Sequence, residues 1–154
     1  MTRPYNHRGH KPRRHQRENR PKINLDNYKI KIQNWIKNQI DEETIDFANE
    51  FGKQVAAGGL TTSQIRIVFG EMRRIQMNGY RNQKTDFLLL KAKLAYAVKR
   101  HNKFGLTDLY AFFEEAYGAV DKVNDDNGEK HFKNLMDLME AILAYHKYHG
   151  GREN

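Results

Sequence analysis

The sequence predicts an all-α fold, a single bundle of five to six helices behind a basic tail. Three observations carry this. Apolar residues recur at three- and four-residue spacing through most of residues 25–148, the period that gathers them on one face of a helix. Residues that start and stop helices punctuate the pattern. No run alternates apolar and polar over the length of a convincing strand, and Tyr28–Ile32 (YKIKI), the closest, fits a helix as well. There is no internal repeat.

Leu25, Tyr28, Ile32, Trp35 and Ile36 give a first helix over 25–39. Asp41 is placed to cap a second, with Ile45, Phe47, Ala48, Phe51 and Val55 as its inner face; Gly58 and Gly59 end it, because glycine accepts the left-handed conformation after a helix. Thr61 or Thr62 is placed to cap a third helix, Thr61 with Gln64 at capping-box spacing; its stripe is Ile65, Val68, Phe69, Met72 and Ile75 and its stop is Asn78-Gly79. A polar loop, Tyr80–Lys84, leads to a fourth helix over 85–101. Thr107 is placed to cap a fifth, carrying Leu109, Tyr110, Phe113, Ala116, Tyr117 and Val120. Asn124–Gly128 reads as a turn, and the last helix runs over 129–148 with Phe132, Leu135, Met136, Met139, Ile142 and Leu143 inside.

A chain of 154 residues suits one domain with a real core. It has no cysteine, which excludes disulfides, thiolate metal sites and a cysteine nucleophile, and suits a cytoplasmic protein. No apolar run approaches a membrane span, and none resembles a signal peptide. The net charge of +8 is unevenly placed. Residues 1–22 hold eight of the 27 basic side chains and one of the 19 acids, so the remaining body is nearly neutral. Residues 1–22 also hold all three prolines and almost no aliphatic side chain, so they are expected to be disordered when free, ahead of a helical domain over 23–154. A basic arm of this kind suits nucleic acid, an acidic protein surface or anionic lipid.

At 100° per residue, with Ile65 at zero, the third helix's apolar stripe spans roughly −80° to +40°, and Arg66 and Arg73 fall near about 100° and 80° on one flank. Gly70, near about 140°, leaves that side shallow. Arginines so aligned can receive a phosphate backbone, or form a solvated rim over the core. On the fourth helix Leu89, Lys93, Tyr96 and Arg100 form one stripe, offering phosphate contacts with an aromatic face; alternatively Leu89 and Tyr96 pack a neighbour while the charges stay wet. Lys91 shares the apolar arc of Phe87, Leu94 and Val98, and must snorkel, meet a partner or fall out of phase.

No constellation supports covalent chemistry. Glu42-Glu43, Glu114-Glu115 and Asp125-Asp126 are sequence neighbours, which do not face each other on a helix. The tail histidines His7, His10 and His15 are loosely spaced, and His146 and His149 have no assignable carboxylate partner, so no metal or other cofactor is indicated. There is no glycine-rich phosphate loop, G-x-S-x-G or H-E-x-x-H.

LTTSQIR (Leu60–Arg66), EMRRIQ (Glu71–Gln76), LLLKAKLAYA (Leu88–Ala97) with Arg100, and the closing AYHKYHGG (Ala144–Gly151) together resemble the small helical subunit of type III-A CRISPR effector ribonucleoproteins, the Csm complex. The resemblance lies across Asp46–Gly151. It implies a non-catalytic helical scaffold whose copies stack head to tail, beside the backbone and large subunits, along the channel that holds guide RNA and target RNA. It also implies phosphate contacts from Arg66, Arg73, Lys91, Lys93 and Arg100; Arg74 and Tyr96 complete the candidate RNA-binding set. Two positions depart from the family pattern: Ala92 stands where proline is common, leaving the direction of Lys91 open, and Val98-Lys99 stands where Ala-Gly is common, adding bulk before Arg100. The basic tail matches no feature of the family.

Two further readings compete. One is a free-standing basic helical module that binds RNA or DNA. The other is a ribonuclease using His101 or His131 with a nearby lysine, for which a lone histidine on a helix is slender support.

Overall fold

The computed structural model describes residues 22–154; the expectation of disorder for the tail lies outside the described residues, apart from Lys22. The described residues form six α-helices: α1 (Lys29–Lys37), α2 (Glu42–Ala57), α3 (Thr62–Asn78), α4 (Lys84–His101), α5 (Phe104–Ala119) and α6 (Asp125–Tyr148). Short 3-10 turns, Leu25–Tyr28 and Tyr80–Gln83, lead into α1 and α4.

Two capping boxes fix the middle of the chain. The Asp41 carboxylate accepts from the Thr44 N–H at 3.0 Å while the Asp41 N–H donates to the Thr44 hydroxyl at 2.9 Å. Thr61 and Gln64 repeat the exchange at the start of α3, at 3.2 and 3.0 Å. Such exchanges satisfy N–H groups that the helix itself leaves unpaired. After α2 the left-handed residue is Gly59 (φ 81°).

The core is continuous and rich in aromatic rings. Phe47 stacks on Phe51 at 5.4 Å and meets Trp35 and Phe112, joining α1, α2 and α5. α6 runs through the bundle, packing most extensively on α2 and then on α3 and α1. Gly52 permits the closeness of α2 and α6: a Cβ there would lie 2.8 Å from the Tyr145 Cβ and 2.9 Å from the His146 nitrogen. A buried polar link closes the N-terminal side. The Gln54 amide donates to Asp108 at 3.0 Å, the Ile23 N–H donates to Gln54 at 2.6 Å, and Lys22 pairs with Asp108 at 3.4 Å.

Several boundaries differ from expectation. Tyr80 does not start a polar loop. Its ring is buried, 5.3 Å from Phe132 and 5.4 Å from Phe87, because the 3-10 turn folds it under the end of the bundle. Thr107 does not cap α5. The helix begins at Phe104 behind Lys103 without a side-chain cap, and the Thr107 hydroxyl donates back to the Lys103 carbonyl at 3.2 Å. α6 starts earlier than expected, because Asn124 caps it by accepting from the Asn127 N–H at 3.0 Å. Ile45 is exposed, whereas Phe112 and Asp108 are buried. Phe112 adjoins Phe113, where the helical phase admits either, and Asp108 is buried against the Gln54 amide, 3.0 Å away.

Candidate nucleic-acid interface

α3 and α4 lie antiparallel, and the seam between them is built from charge. The Glu71 carboxylate accepts from Arg74 at 3.0 Å, one turn along α3, and pairs across the seam with Lys93 at 3.5 Å. Arg74 also reaches Asp86 at the start of α4 at 3.2 Å, and Gln83 at 3.2 Å. Arg74, and then Lys93, hold the Glu71 carboxyl below the usual carboxylate range. All of these heads stand at or near the surface, where ion pairs are weak and exchangeable.

The seven sequence candidates are distributed over four faces. Arg74 and Lys93 meet at the seam. Arg66 and Arg73 share the opposite flank of α3, as the angular analysis expects, where each meets one exposed acid: Arg66 with Glu153 at 3.6 Å, and Arg73 with Glu140 of α6 at 3.7 Å. Arg73 also lies over the Phe69 ring at 4.9 Å. Lys91 points the other way, toward α5. α4 is unbroken through Ala92, so Lys91 stays in phase with the apolar arc and snorkels to Glu114 at 3.6 Å, with the Tyr117 ring 5.8 Å from its nitrogen. Lys91 is therefore not beside Lys93 on the seam.

Tyr96 and Arg100 occupy the outer face of α4. Tyr96 is 67% exposed and Leu89 46%, so neither packs against a neighbouring helix within this chain. Leu88 is equally open, which gives α4 an apolar outer strip with Lys93 and Arg100 along its edge. Arg100 and the adjoining Lys99 have no carboxylate partner among the described residues.

The other chemically suggestive groups have structural duties. The carboxylates of two adjacent pairs take separate partners: Glu114 holds Lys91 and Glu115 holds Lys29, while Asp125 holds Lys84 and Asp126 holds Arg81; in the third pair Glu43 holds Lys31. The His131 ring accepts from the Asp121 N–H at 3.0 Å, and burial lowers its pKa. His146 is fully buried, its Nε2–H donating to the Leu60 carbonyl at 2.5 Å, and His149 meets Asn49 at 2.6 Å. Among the described residues no three His, Asp or Glu side chains gather as a metal site. The tail histidines lie outside the described residues.

Sequence reasoning missed Glu71 as the hub of the seam, although its place three residues before Arg74 signals that pair. It also missed Lys99, Lys103 and Arg152; the latter two line a cleft formed by segments distant in sequence, for which no local signal exists.

No helix among the described residues is long and apolar enough to cross a membrane. No curated protein and no solved structure matches the chain. A family model, Csm2 Type III-A, matches residues 38–152, from just before the α2 cap to the segment after α6. With that span covering five of the six helices and the whole α3–α4 face, the chain belongs to the Csm2 family, the small subunit of the type III-A CRISPR effector complex.

Proposed function

We propose that this chain serves as a non-catalytic, cytoplasmic subunit that holds RNA by its backbone, with the α3–α4 face turned toward the guide RNA and target RNA. The observation that carries the reading is the outer face of α4: Lys93, Lys99 and Arg100 stand along an exposed strip with Tyr96, and the last two cations have no acid to neutralise them among the described residues. Such a surface attracts phosphates irrespective of sequence, which suits a complex whose guide does the reading. Arg66, Arg73 and Lys93 are each held by a single acid at the surface, so a phosphate needs only to exchange one partner there, whereas at Arg74 it must compete with both Glu71 and Asp86. Lys91 contributes from the α5 side. Copies of the chain stack along the RNA beside the backbone and large subunits, and stacking multiplies a weak affinity per subunit by effective concentration. Catalysis is left to those neighbours.

The test is RNA binding by the assembled complex and by the pure chain across a salt series. Alanine at Lys93 and Arg100 together is expected to weaken both and to flatten the salt dependence, with helicity unchanged. Unaltered binding at low salt in an intact assembly refutes the contact assignment, and turnover of RNA by the pure chain refutes the non-catalytic role. The pair Arg66→Ala and Arg73→Ala tests the second flank in the same way.

A further inference from the structure

Between the end of α2, the first turns of α3 and the turn from α4 into α5 lies a cleft of about 650 Å3. Its floor is apolar, formed by Ala56, Ala57, Leu60 and Ile67. Its walls bring Lys103, Arg152 and His101 together from segments far apart in sequence. No Asp or Glu side chain lines it, and neither Lys103 nor Arg152 has an ion-pair partner among the described residues. Glu153, the nearest acid along the chain, turns away to Lys147 and Arg66.

The walls are held by backbone hydrogen bonds. The Gly105 N–H donates to the Gly58 carbonyl at 2.9 Å, fixing the start of α5, and with it Lys103, against the end of α2. The Thr62 and Ser63 N–H groups donate to the Arg152 and Glu153 carbonyls at 2.8 and 3.0 Å. That closes the segment after α6 over the start of α3. The first N–H groups of α3 are thereby already taken, so the positive character of the cleft comes from its side chains. Gly151 packs directly on the buried His146 ring: a Cβ there would lie 2.1 Å from the imidazole.

Two unneutralised cations above an apolar floor suit a ligand that is anionic at one end and flat and apolar at the other. Inorganic phosphate would answer the cations and leave the floor bare. The volume falls within the roughly 300–1,000 Å3 of small-molecule sites. The His101 ring offers a flat surface of the kind on which bases stack. The cleft also opens at the end of the α3–α4 seam, because His101 closes the helix that carries Lys93 and Arg100.

We infer that this cleft takes one nucleotide unit, a base with its phosphate, either as a free nucleotide or as an unpaired residue of an RNA strand lying along the seam. The RNA source rests on the function proposed above; the nucleotide site itself does not.

The experiment follows backbone amide shifts of the full chain as adenosine monophosphate, adenosine or inorganic phosphate is added. The monophosphate is expected to move the Gly59, Ser63 and Gly150 amides. Adenosine and phosphate should each bind about tenfold more weakly, and Lys103→Ala with Arg152→Ala should weaken the monophosphate by about tenfold or more, in line with charge-assisted contacts. The Arg152 carbonyl is retained in that variant, so an unchanged Thr62 amide reports an intact fold. Silence of the cleft amides, or equal binding by the double variant, overturns the site.

A single-stranded oligoribonucleotide forms the second arm. If it moves the cleft amides along with those of the seam, the unit comes from RNA. If only the monophosphate does, the ligand is a free nucleotide. Loss of RNA binding in Lys93→Ala with Arg100→Ala, beside a cleft silent to every probe, sinks this inference and leaves the proposed function standing. A cleft that binds the monophosphate in a chain indifferent to RNA does the reverse.

Discussion

The Glu71 carboxylate on α3 lies 3.5 Å from the Lys93 ammonium on α4, and it holds Arg74 as well, at 3.0 Å. One acid thus restrains two cations on the face assigned to RNA. It aligns the two helices and competes with any phosphate that approaches them. Its contribution to stability is small, since all three groups are wetted and surface pairs are worth about 0–1 kcal/mol.

Glu71→Gln should therefore raise RNA affinity. The substitution keeps the shape and a hydrogen-bond acceptor while freeing Lys93 from its acid and leaving Arg74 with Asp86 alone. Affinity at low salt is expected to rise about threefold, and the slope of log K against log salt to steepen by up to about one, as for one added phosphate contact. Fluorescence anisotropy across a salt series reads both. A fall in affinity would mean that Glu71 positions the cations for RNA instead of restraining them.

Asp41→Ala should lower stability and leave RNA binding alone. Asp41 caps α2 reciprocally with Thr44, and α2 packs mainly on α6 and α5 rather than on α3 or α4. Loss of such a cap costs about 1 kcal/mol, typically 0.5–2. Thermal or urea unfolding measures it, and unchanged anisotropy confirms the separation of fold from interface.

Acidification should destabilise the chain through His131. Burial, with Lys37 nearby, pushes its pKa down, against an opposing pull from Asp121. The folded state therefore holds His131 neutral while the unfolded chain protonates it. Above the ordinary histidine pKa of about 6.5 both states are neutral and nothing is lost. As pH falls from there toward the lowered value the unfolded state binds more protons, so stability declines. His131→Gln can still accept from the Asp121 N–H and does not titrate. Urea unfolding at pH 7.5 and pH 5.5 should show a smaller decline for the variant than for the parent, and an equal decline would place the sensitivity elsewhere.

How much of this could be seen in the sequence depends on how local each feature is. The boxes at Asp41–Thr44 and Thr61–Gln64 sit within single turns; the sequence indicates Asp41 as a cap and the full Thr61–Gln64 spacing. The flank shared by Arg66 and Arg73 follows from helical angle alone. Lys91 could be placed in the apolar arc, but its outlet at Glu114 depends on which helix lies beside α4, a tertiary fact. Tyr80 looked like loop because its neighbours are polar, and only the packing of Phe87 and Phe132 turns it inward. The Lys103–Arg152 cleft joins the turn before α5 to the segment after α6, and nothing in either segment announces the other.

Two helical glycines make opposite predictions and together separate packing from binding. At Gly52 a side chain would press on the Tyr145 Cβ and the His146 backbone, in the most extensive helix pairing of the fold, so Gly52→Val should destabilise by about 1–3 kcal/mol despite valine's better helix propensity. At Gly70 a Cβ meets nothing within 4 Å, so Gly70→Ala should stabilise by up to about 1 kcal/mol, the helix-propensity gain over glycine. Gly70 lies on the exposed surface of α3 between the Arg66–Arg73 flank and Arg74, where a strand bridging those arginines must pass close to the backbone. Gly70→Leu should therefore keep the parent's stability or exceed it while weakening RNA binding several-fold. Unfolding curves and anisotropy on the same samples decide the matter. A leucine variant that binds RNA as tightly as the parent would show that the strand does not cross α3 there, and would confine the contact to the outer face of α4.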